Sequence, residues 1–126
     1  MTENEIAAEI VDASYRIHTN LGPGLLESVY EAVLAFELEK RGLRVRRQQA
    51  LPVMYESMKL EEGFRADLVV EDKVIVELKS VEILAPVHKK QLLTYLKISG
   101  KKLGLLINFG SALIKDGMER IINGKL

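Results

Sequence analysis

The sequence contains no cysteine, which excludes a disulfide framework, a cysteine-based zinc site and thiol catalysis. This composition fits a reducing compartment, so we expect a cytoplasmic protein. Only two histidines are present, and they are not spaced as a pair of metal ligands, which argues against a zinc site. Neither a thiol nor a histidine pair is therefore available for catalysis.

Long apolar runs are also missing. No segment approaches the roughly 20 residues that a membrane-spanning helix needs, and the acidic residues 1–5 lack the charge pattern of a signal peptide. Of the 126 residues, 48% are apolar, which is enough for a substantial core. Because neither repeats nor low-complexity linkers occur, we expect a single domain over residues 1–126 and no membrane partner.

An excess of charge of either sign is absent, since 18 Lys and Arg balance 18 Asp and Glu. A neutral chain does not grip nucleic acid by bulk charge, although an acidic nuclease site can offset a basic rim. Basic residues do cluster, and such clusters contact phosphates in nucleic-acid-binding proteins, although a solvated face is their commoner role. The predicted nucleic-acid-binding residues are Arg44, Arg46, Arg47, Lys89 and Lys90.

Hydrophobic periodicity predicts an α/β protein with the element order ααβββαββ. A mixed β-sheet flanked by helices is the natural way to bury these segments. The third helix begins at Pro86, because proline is favoured in a first helical turn. The predicted helices are 4–20, 25–41 and 86–99, and the predicted strands are 43–55, 64–70, 74–79, 103–109 and 118–122. The first strand is predicted to be broken near 48–52. A turn at 56–59 follows it, and a short further strand begins at Leu60.

Residues 67–79 form the most informative stretch, because Asp67, Glu77 and Lys79 lie in or beside apolar β-type runs. Burying charged groups costs free energy unless they are paired or bind a metal. Carboxylates bind Mg²⁺ or Mn²⁺ through oxygen, and a lysine can orient or help deprotonate an attacking water. The spacing therefore indicates a divalent-cation site for phosphodiester hydrolysis. For the D-x₉-E-x-K pattern alone, a solvated sheet face is the more frequent explanation.

Strand geometry adds a requirement to this hypothesis. Glu77 and Lys79 are two residues apart, so they face the same side of a strand. Asp67 shares that side if it opposes Glu77, which requires the three-residue loop 71–73 or a bulge. A two-residue loop would instead pair Asp67 with Leu78 and put the carboxylates on opposite faces. The metal-site hypothesis thus predicts a loop of odd length.

Two further motifs lie on predicted helices. Gln91 and Tyr95 are one helical turn apart, where a glutamine can orient a water and a tyrosine can stack; the alternative is an ordinary helix surface. Glu27 lies three residues after Gly24 and three before Tyr30, in the first turn of the second helix. Its commonest role there is to complement the helix dipole, worth about 0.3–1 kcal/mol. Its functional role would be that of a third acidic metal ligand.

Taken in order, these motifs resemble those of a known family. The D…E-x-K hairpin followed by Q-x-x-x-Y resembles the PD-(D/E)XK nuclease superfamily, especially its RecB-like branch. The spacing of Gly24, Glu27 and Tyr30 resembles that of the GxxExxY proteins within it. The proline that names the superfamily is replaced by Ala66. The resemblance covers nearly the whole chain and implies a restriction-endonuclease-like core, with a mixed sheet and helices on both faces.

The resemblance also implies roles for individual residues. Two hairpin carboxylates, a backbone carbonyl and an extra helix-borne acid would hold the metal, and a lysine together with the residues of the helix motif would complete the catalytic set. By this correspondence the metal ligands are Asp67, Glu77, Leu78 and Glu27, and the catalytic residues are Lys79, Glu77, Asp67, Gln91 and Tyr95.

The sequence therefore predicts a Mg²⁺- or Mn²⁺-dependent nuclease that acts on DNA rather than RNA. One alternative is a nucleic-acid-binding or protein-interaction module that keeps the nuclease fold without cleaving. Another is a hydrolase of small phosphate esters. Because so short a chain offers little surface for a duplex, we also predict a homodimer that brings two sites to two strands.

Overall fold

A computed structural model describes residues 1–126 and contains three α-helices and one five-stranded sheet. The elements in chain order are α1 (Glu3–Leu21), α2 (Glu27–Lys40), β1 (Val45–Tyr55), β2 (Met58–Val70), β3 (Val74–Lys79), α3 (Pro86–Ser99), β4 (Leu103–Asn108), a 3₁₀ turn (Ile114–Gly117) and β5 (Met118–Ile122). The strands lie in the order β1-β2-β3-β4-β5. Only β3 and β4 are parallel, so the sheet is mixed. None of the helices has the length and apolar character needed to cross a membrane.

The two faces of the sheet carry separate apolar cores. The larger core contains 20 buried residues and packs one face against α1 and α2, with Tyr30 stacked on Phe109 at 4.5 Å between ring centroids. The smaller contains 7 and packs the other face against α3 through Leu92 and Leu96. Each buried leucine contributes about 1.5–3 kcal/mol. Most of the apolar stabilisation therefore lies on the α1 and α2 side, and the α3 side has room for polar groups.

The helix ends are specified by local sequence. Thr2 Oγ1 accepts the Glu5 N–H at 3.2 Å and Glu5 Oε1 accepts the Thr2 N–H at 2.8 Å, which forms a capping box at the start of α1. Pro86 opens α3, and Gly100 ends it with a left-handed φ of 70°. These signals place α3 directly after the β2–β3 hairpin, against the face of the sheet that carries the predicted site.

The predicted α/β class and the order ααβββαββ are confirmed. The predicted turn over 56–59 is wrong in its second half, because Met58 already pairs with Tyr55 and β2 runs unbroken from Met58 to Val70. The connection is a two-residue loop, and Glu56 adopts a positive φ of 52°. Positive φ values suit short hairpin loops because their twist matches that of the flanking strands. The break predicted near 48–52 appears as a register shift between Leu51 and Val53.

The hairpin between β2 and β3 has the predicted odd-length loop. Leu68 pairs with Val76 and Val70 pairs with Val74, so residues 71–73 form the loop. Continuing this register by one step sets Asp67 opposite Glu77. Val69 and Ile75, which share the parity of these carboxylates, belong to the core beneath α3. Glu77 and Lys79 therefore share the α3 face, and Asp67 adjoins them where β2 departs from strict alternation, since Ala66 also belongs to that core.

Candidate active site

The candidate site lies where β2 separates from β3. The backbone ladder between β3 and β4 continues to the pair Lys79 and Asn108, whereas the ladder between β2 and β3 stops at Leu68. Asp67 is the first residue beyond that stop, and its Oδ2 accepts the Leu78 N–H at 2.8 Å. The carboxylate thus replaces a backbone acceptor. This bond holds Asp67 beside β3 after the backbone pairing has ended.

Glu77 has the most perturbed acid–base chemistry in the chain. Burial raises its pKa to about 9, assisted by a hydrogen bond to Asp67 and by the negative charge of that residue, while Lys79 lowers it less. Its Oε1 atom is buried and has no hydrogen-bond partner. Two adjacent carboxylates, one with an unpartnered buried oxygen, are a donor set that suits a hard divalent cation. The residues present therefore fit the Mg²⁺ or Mn²⁺ that the sequence predicted.

Tyr95 on α3 forms a wall beside these carboxylates. Burial raises the pKa of Tyr95, and the charges of Glu77 and Asp67 raise it further, which places its hydroxyl within their field. The Tyr95 ring stacks on Phe64 with the centroids 4.0 Å apart. Gln91 lies one turn earlier on the same helix, with an exposed side chain. The helix motif and the hairpin carboxylates are thus brought to one side of the sheet.

Lys79 lies at the carboxyl end of β3, next to this group. Its side chain is partly buried and forms no ion pair, so the ammonium group is available for a ligand. The position of its backbone is fixed independently, because the Lys79 carbonyl accepts the Phe109 N–H at 2.8 Å. The fold therefore presents this lysine through the sheet rather than through its own side-chain contacts.

The Gly24, Glu27 and Tyr30 motif shapes the turn before α2. The buried Tyr30 hydroxyl donates to the Gly22 carbonyl at 2.6 Å and accepts the Leu25 N–H at 3.1 Å. Gly24 has a φ of 103°, a conformation that favours glycine. The tyrosine and the glycine of the motif thus fix the turn that leads into the helix carrying Glu27.

A hydrogen bond joins this turn to the end of β3, since Ser80 Oγ donates to the Leu25 carbonyl at 2.6 Å. Glu27 is exposed and lines an open depression of about 540 Å³ that also includes Ser80. No group of three or more His, Cys, Asp or Glu side chains lies close enough together to hold a metal ion. The structure therefore does not bring Glu27 into one cluster with Asp67 and Glu77.

Two residues that the sequence did not predict contact this site. Gln48 on β1 donates from Nε2 to Asp67 Oδ1 at 3.2 Å and to Glu31 Oε1 at 2.6 Å. Glu31 on α2 is only 6% exposed. A signal for Glu31 existed, because it lies one helical turn after Glu27. No sequence signal marks Gln48, since its role depends on which strand pairs with β2.

The predicted basic surface is largely engaged with carboxylates. Three of the five predicted residues form ion pairs, with these nitrogen–oxygen distances: Arg44 with Glu71 at 3.2 Å, Arg47 with Glu31 at 3.1 Å, and Lys89 with Glu119 at 3.1 Å. The pairs of Arg44 and Lys89 are surface ion pairs, which contribute at most about 1 kcal/mol to stability, so phosphates can compete for these two side chains, whereas Arg47 is bound to the buried Glu31. The two predicted residues without a carboxylate partner are Arg46 and Lys90.

Comparison with known families agrees with this geometry. A family model described as the PD-(D/E)XK nuclease superfamily matches residues 4–121. The matched span includes both helix motifs and the hairpin between β2 and β3. Neither the comparison with curated proteins nor the comparison with solved structures found a match.

Proposed function

Because this chain belongs to the PD-(D/E)XK nuclease superfamily, we propose that it is a Mg²⁺- or Mn²⁺-dependent nuclease that hydrolyses phosphodiester bonds of DNA. The observation that carries the proposal is the adjacency of Asp67, Glu77 and Lys79 where β2 separates from β3, with a buried, unpartnered Glu77 oxygen. The absence of cysteine supports a cytoplasmic location, which is part of the proposal.

The carboxylates of Asp67 and Glu77 would hold the cation, with the Leu78 carbonyl as a further ligand; Glu27 lies outside this cluster and is not among the proposed ligands. When bound, a divalent cation supplies positive charge at the scissile phosphate and lowers the pKa of a bound water. Lys79 would donate a hydrogen bond to the attacking water and balance the charge that develops on the phosphate oxygens. The unpaired state of this lysine supports that role, because no carboxylate competes for its ammonium group.

The helix motif would complete the site from the α3 side. Gln91 would orient the phosphate or the side chain of Lys79, and its exposed side chain is accessible to a ligand. Tyr95 would limit the access of bulk water to the carboxylates, because its ring is fixed against Phe64. A drier site strengthens the electrostatic interactions of the lysine with the phosphate.

The experiment that tests the proposal is incubation of the protein with circular single-stranded DNA, supercoiled DNA and linear DNA in Mg²⁺, in Mn²⁺ and in EDTA. We expect cleavage with either metal and none in EDTA, because the carboxylates alone carry no positive charge to the phosphate. Cutting of circles would identify an endonuclease, whereas cutting of linear DNA alone would identify an exonuclease. Absence of cleavage of circular and linear DNA in both metals would contradict the proposal.

A second candidate function is a nucleic-acid-binding or protein-interaction module that keeps the fold without cleaving. The neutral net charge and the ion pairs of Arg44, Arg47 and Lys89 favour it. Titration with Mn²⁺ separates the two functions. A nuclease binds the ion and loses that binding in Asp67→Asn, whereas a non-catalytic module has no need of the carboxylate pair.

We further propose that the protein forms a homodimer. The outer hairpin, residues 53–60, leaves Tyr55, Met58 and Leu60 more than half exposed. A second copy would cover this apolar surface, and the neutral net charge opposes association little. We expect sedimentation velocity to show a dimer that dissociates in the variant Tyr55→Ser/Leu60→Ser. The control is Ile83→Ser, at a still more exposed position elsewhere, and a monomeric wild type would contradict the proposal.

A further inference from the structure

Asp67 is held by hydrogen bonds from two different strands. Its Oδ2 accepts the Leu78 N–H of β3 at 2.8 Å, and its Oδ1 accepts from the Gln48 side chain of β1 at 3.2 Å. We propose that Gln48, itself held by Glu31, is a positioning residue that fixes the Asp67 carboxylate. The inference rests on the proposed function of Asp67 as a metal ligand.

The side chain of Gln48 bridges two carboxylates. Its Nε2 atom lies 2.6 Å from Glu31 Oε1 as well as 3.2 Å from Asp67 Oδ1. An amide nitrogen carries two hydrogens, so it can donate one to each acceptor, whereas the amide oxygen would repel both. The chemistry of the neighbours therefore determines the orientation of the amide. Both of its hydrogens are used, which restricts its rotation.

Glu31 is anchored in turn. The Arg47 guanidinium places Nε and Nη2 each 3.1 Å from Glu31 Oε2, while the other carboxylate oxygen accepts from Gln48. The Glu31 side chain is almost completely buried, and a buried carboxylate is costly unless both oxygens are satisfied. The result is a continuous chain of contacts from Arg47 through Glu31 and Gln48 to Asp67. It joins the helix layer of α2 to the hairpin that carries the metal ligands.

The backbone of Gln48 is strained at this same position. Arg47 pairs with Leu68 and Gln49 pairs with Ala66, which sets Gln48 opposite Asp67 in the ladder. Its φ of 50° lies in the left-handed region, which costs a residue with a side chain about 1–2 kcal/mol. Glycine would adopt this conformation without that cost. A glutamine is therefore found where glycine fits the backbone better, and its amide is the group that reaches Asp67.

The contact matters because Asp67 lies beside a second carboxylate. When Glu77 ionises to bind a cation the two like charges repel, and an aspartate held by a single bond can then rotate away from its neighbour. The Gln48 amide adds a second point of attachment, so both oxygens of Asp67 have fixed positions. Residues that orient metal ligands in this way typically change metal affinity or activity by about 10–100-fold when they are mutated.

The test compares Gln48→Met with Gln49→Met. Methionine has a similar length but donates no hydrogen bond, and Gln49 is the adjacent glutamine, whose Oε1 has no partner. For Gln48→Met we expect a Kd for Mn²⁺ raised by about 10–100-fold, a kcat lowered by a similar factor and an unchanged KM for DNA. Hydrogen exchange of the Leu78 amide in EDTA should become faster, because its acceptor is released. Gln49→Met should keep wild-type values.

A second variant, Gln48→Gly, removes the amide while relieving the backbone strain, so it separates loss of positioning from loss of folding. Wild-type Mn²⁺ affinity and wild-type Leu78 exchange in both Gln48 variants would overturn the inference. Failure of the proposed function is distinguishable from this result. A wild type that binds no Mn²⁺ and cleaves nothing refutes the nuclease, while Leu78 exchange in EDTA still decides whether Gln48 holds Asp67.

Discussion

Replacement of Lys79 by alanine is expected to lower the rate of DNA cleavage by about 10²–10³-fold, the range typical of losing one donor that stabilises charge in a transition state. The lysine lies two residues from Glu77 on β3 and shares its face. It has no ion-pair partner, so its charge can act on a bound phosphate. The loss should fall on kcat, because this interaction strengthens as charge develops in the transition state.

The fold should survive the same substitution. The Lys79 carbonyl accepts the Phe109 N–H, and the residue pairs with Asn108 in the parallel ladder. Neither contact uses the side chain, so we expect the free energy of unfolding to change by no more than about 1 kcal/mol. Urea unfolding followed by circular dichroism measures this quantity. A Lys79→Ala variant that is folded and inactive would separate a catalytic role from a structural one.

The matched control for this prediction is Lys73→Ala. Lys73 lies in the loop at the other end of β3, is exposed, and donates from Nζ to the Met1 carbonyl. Its removal changes the net charge as much as the removal of Lys79 but leaves the site intact. We expect Lys73→Ala to cleave DNA at the wild-type rate. Equal activity of wild type and Lys79→Ala would contradict the proposed role of the lysine and point to a contaminating nuclease.

The hairpin geometry could be predicted from sequence because it depends on local rules. Alternation along a strand fixes the face shared by Glu77 and Lys79, and the odd length of the loop 71–73 then sets Asp67 opposite Glu77. The apolar cores on the two faces enforce this register, since a slip of one residue in β3 would turn Glu77 and Lys79 toward the larger core beneath α1 and α2. These local rules predicted the hairpin correctly, and they also predicted that α3 follows it.

The contacts of Gln48 could not be predicted in the same way. They depend on β1 lying beside β2 and on α2 covering that pair, so residues separated by 17 and 19 positions meet. The left-handed backbone of Gln48 has no marker in the sequence, because glycine would be the expected residue there. The ion pair between Lys89 and Glu119 could not be predicted either, because it joins residues 30 positions apart in the sequence. Arrangements of this kind follow from tertiary packing.

The metal-free protein is expected to lose stability as the pH rises from about 5 to 9, owing to Glu77. Its folded-state pKa of about 9 lies above the ordinary value of 4.5, so the folded state keeps a proton that the unfolded state has released. The stabilisation is complete below pH 4.5 and is lost as the pH rises through 9. The expected slope is about 1.4 kcal/mol per pH unit within this window.

Few other groups with a shifted pKa titrate between pH 5 and 9. The pKa of Glu71 is lowered by its hydrogen bond to the Arg44 backbone, and the pKa of Glu37 is lowered by Lys40, so both ionise below the window. Burial raises the pKa of Tyr95 above 10, beyond the window. Urea unfolding in EDTA at several pH values therefore reports mainly on Glu77. The variant Glu77→Gln should be nearly independent of pH between 5 and 9, whereas Glu71→Gln should keep the wild-type slope.

The same proton links stability to metal binding. Glu77 must be ionised to serve as a ligand, so binding of Mn²⁺ at pH 7 should release about one proton, and the apparent affinity should rise about tenfold per pH unit from 5 to 9. Titration calorimetry in buffers of different ionisation enthalpy measures the proton directly. Affinity that does not change with pH would mean either that Glu77 is already ionised or that it is not a ligand. A wild-type stability that is also independent of pH would indicate that Glu77 is already ionised, whereas a stability that falls with pH would indicate that it is not a ligand. If Glu77 is protonated in the metal-free protein and ionised in the metal-bound protein, Mn²⁺ should stabilise the protein at pH 8. Glu77→Gln should abolish this gain in stability.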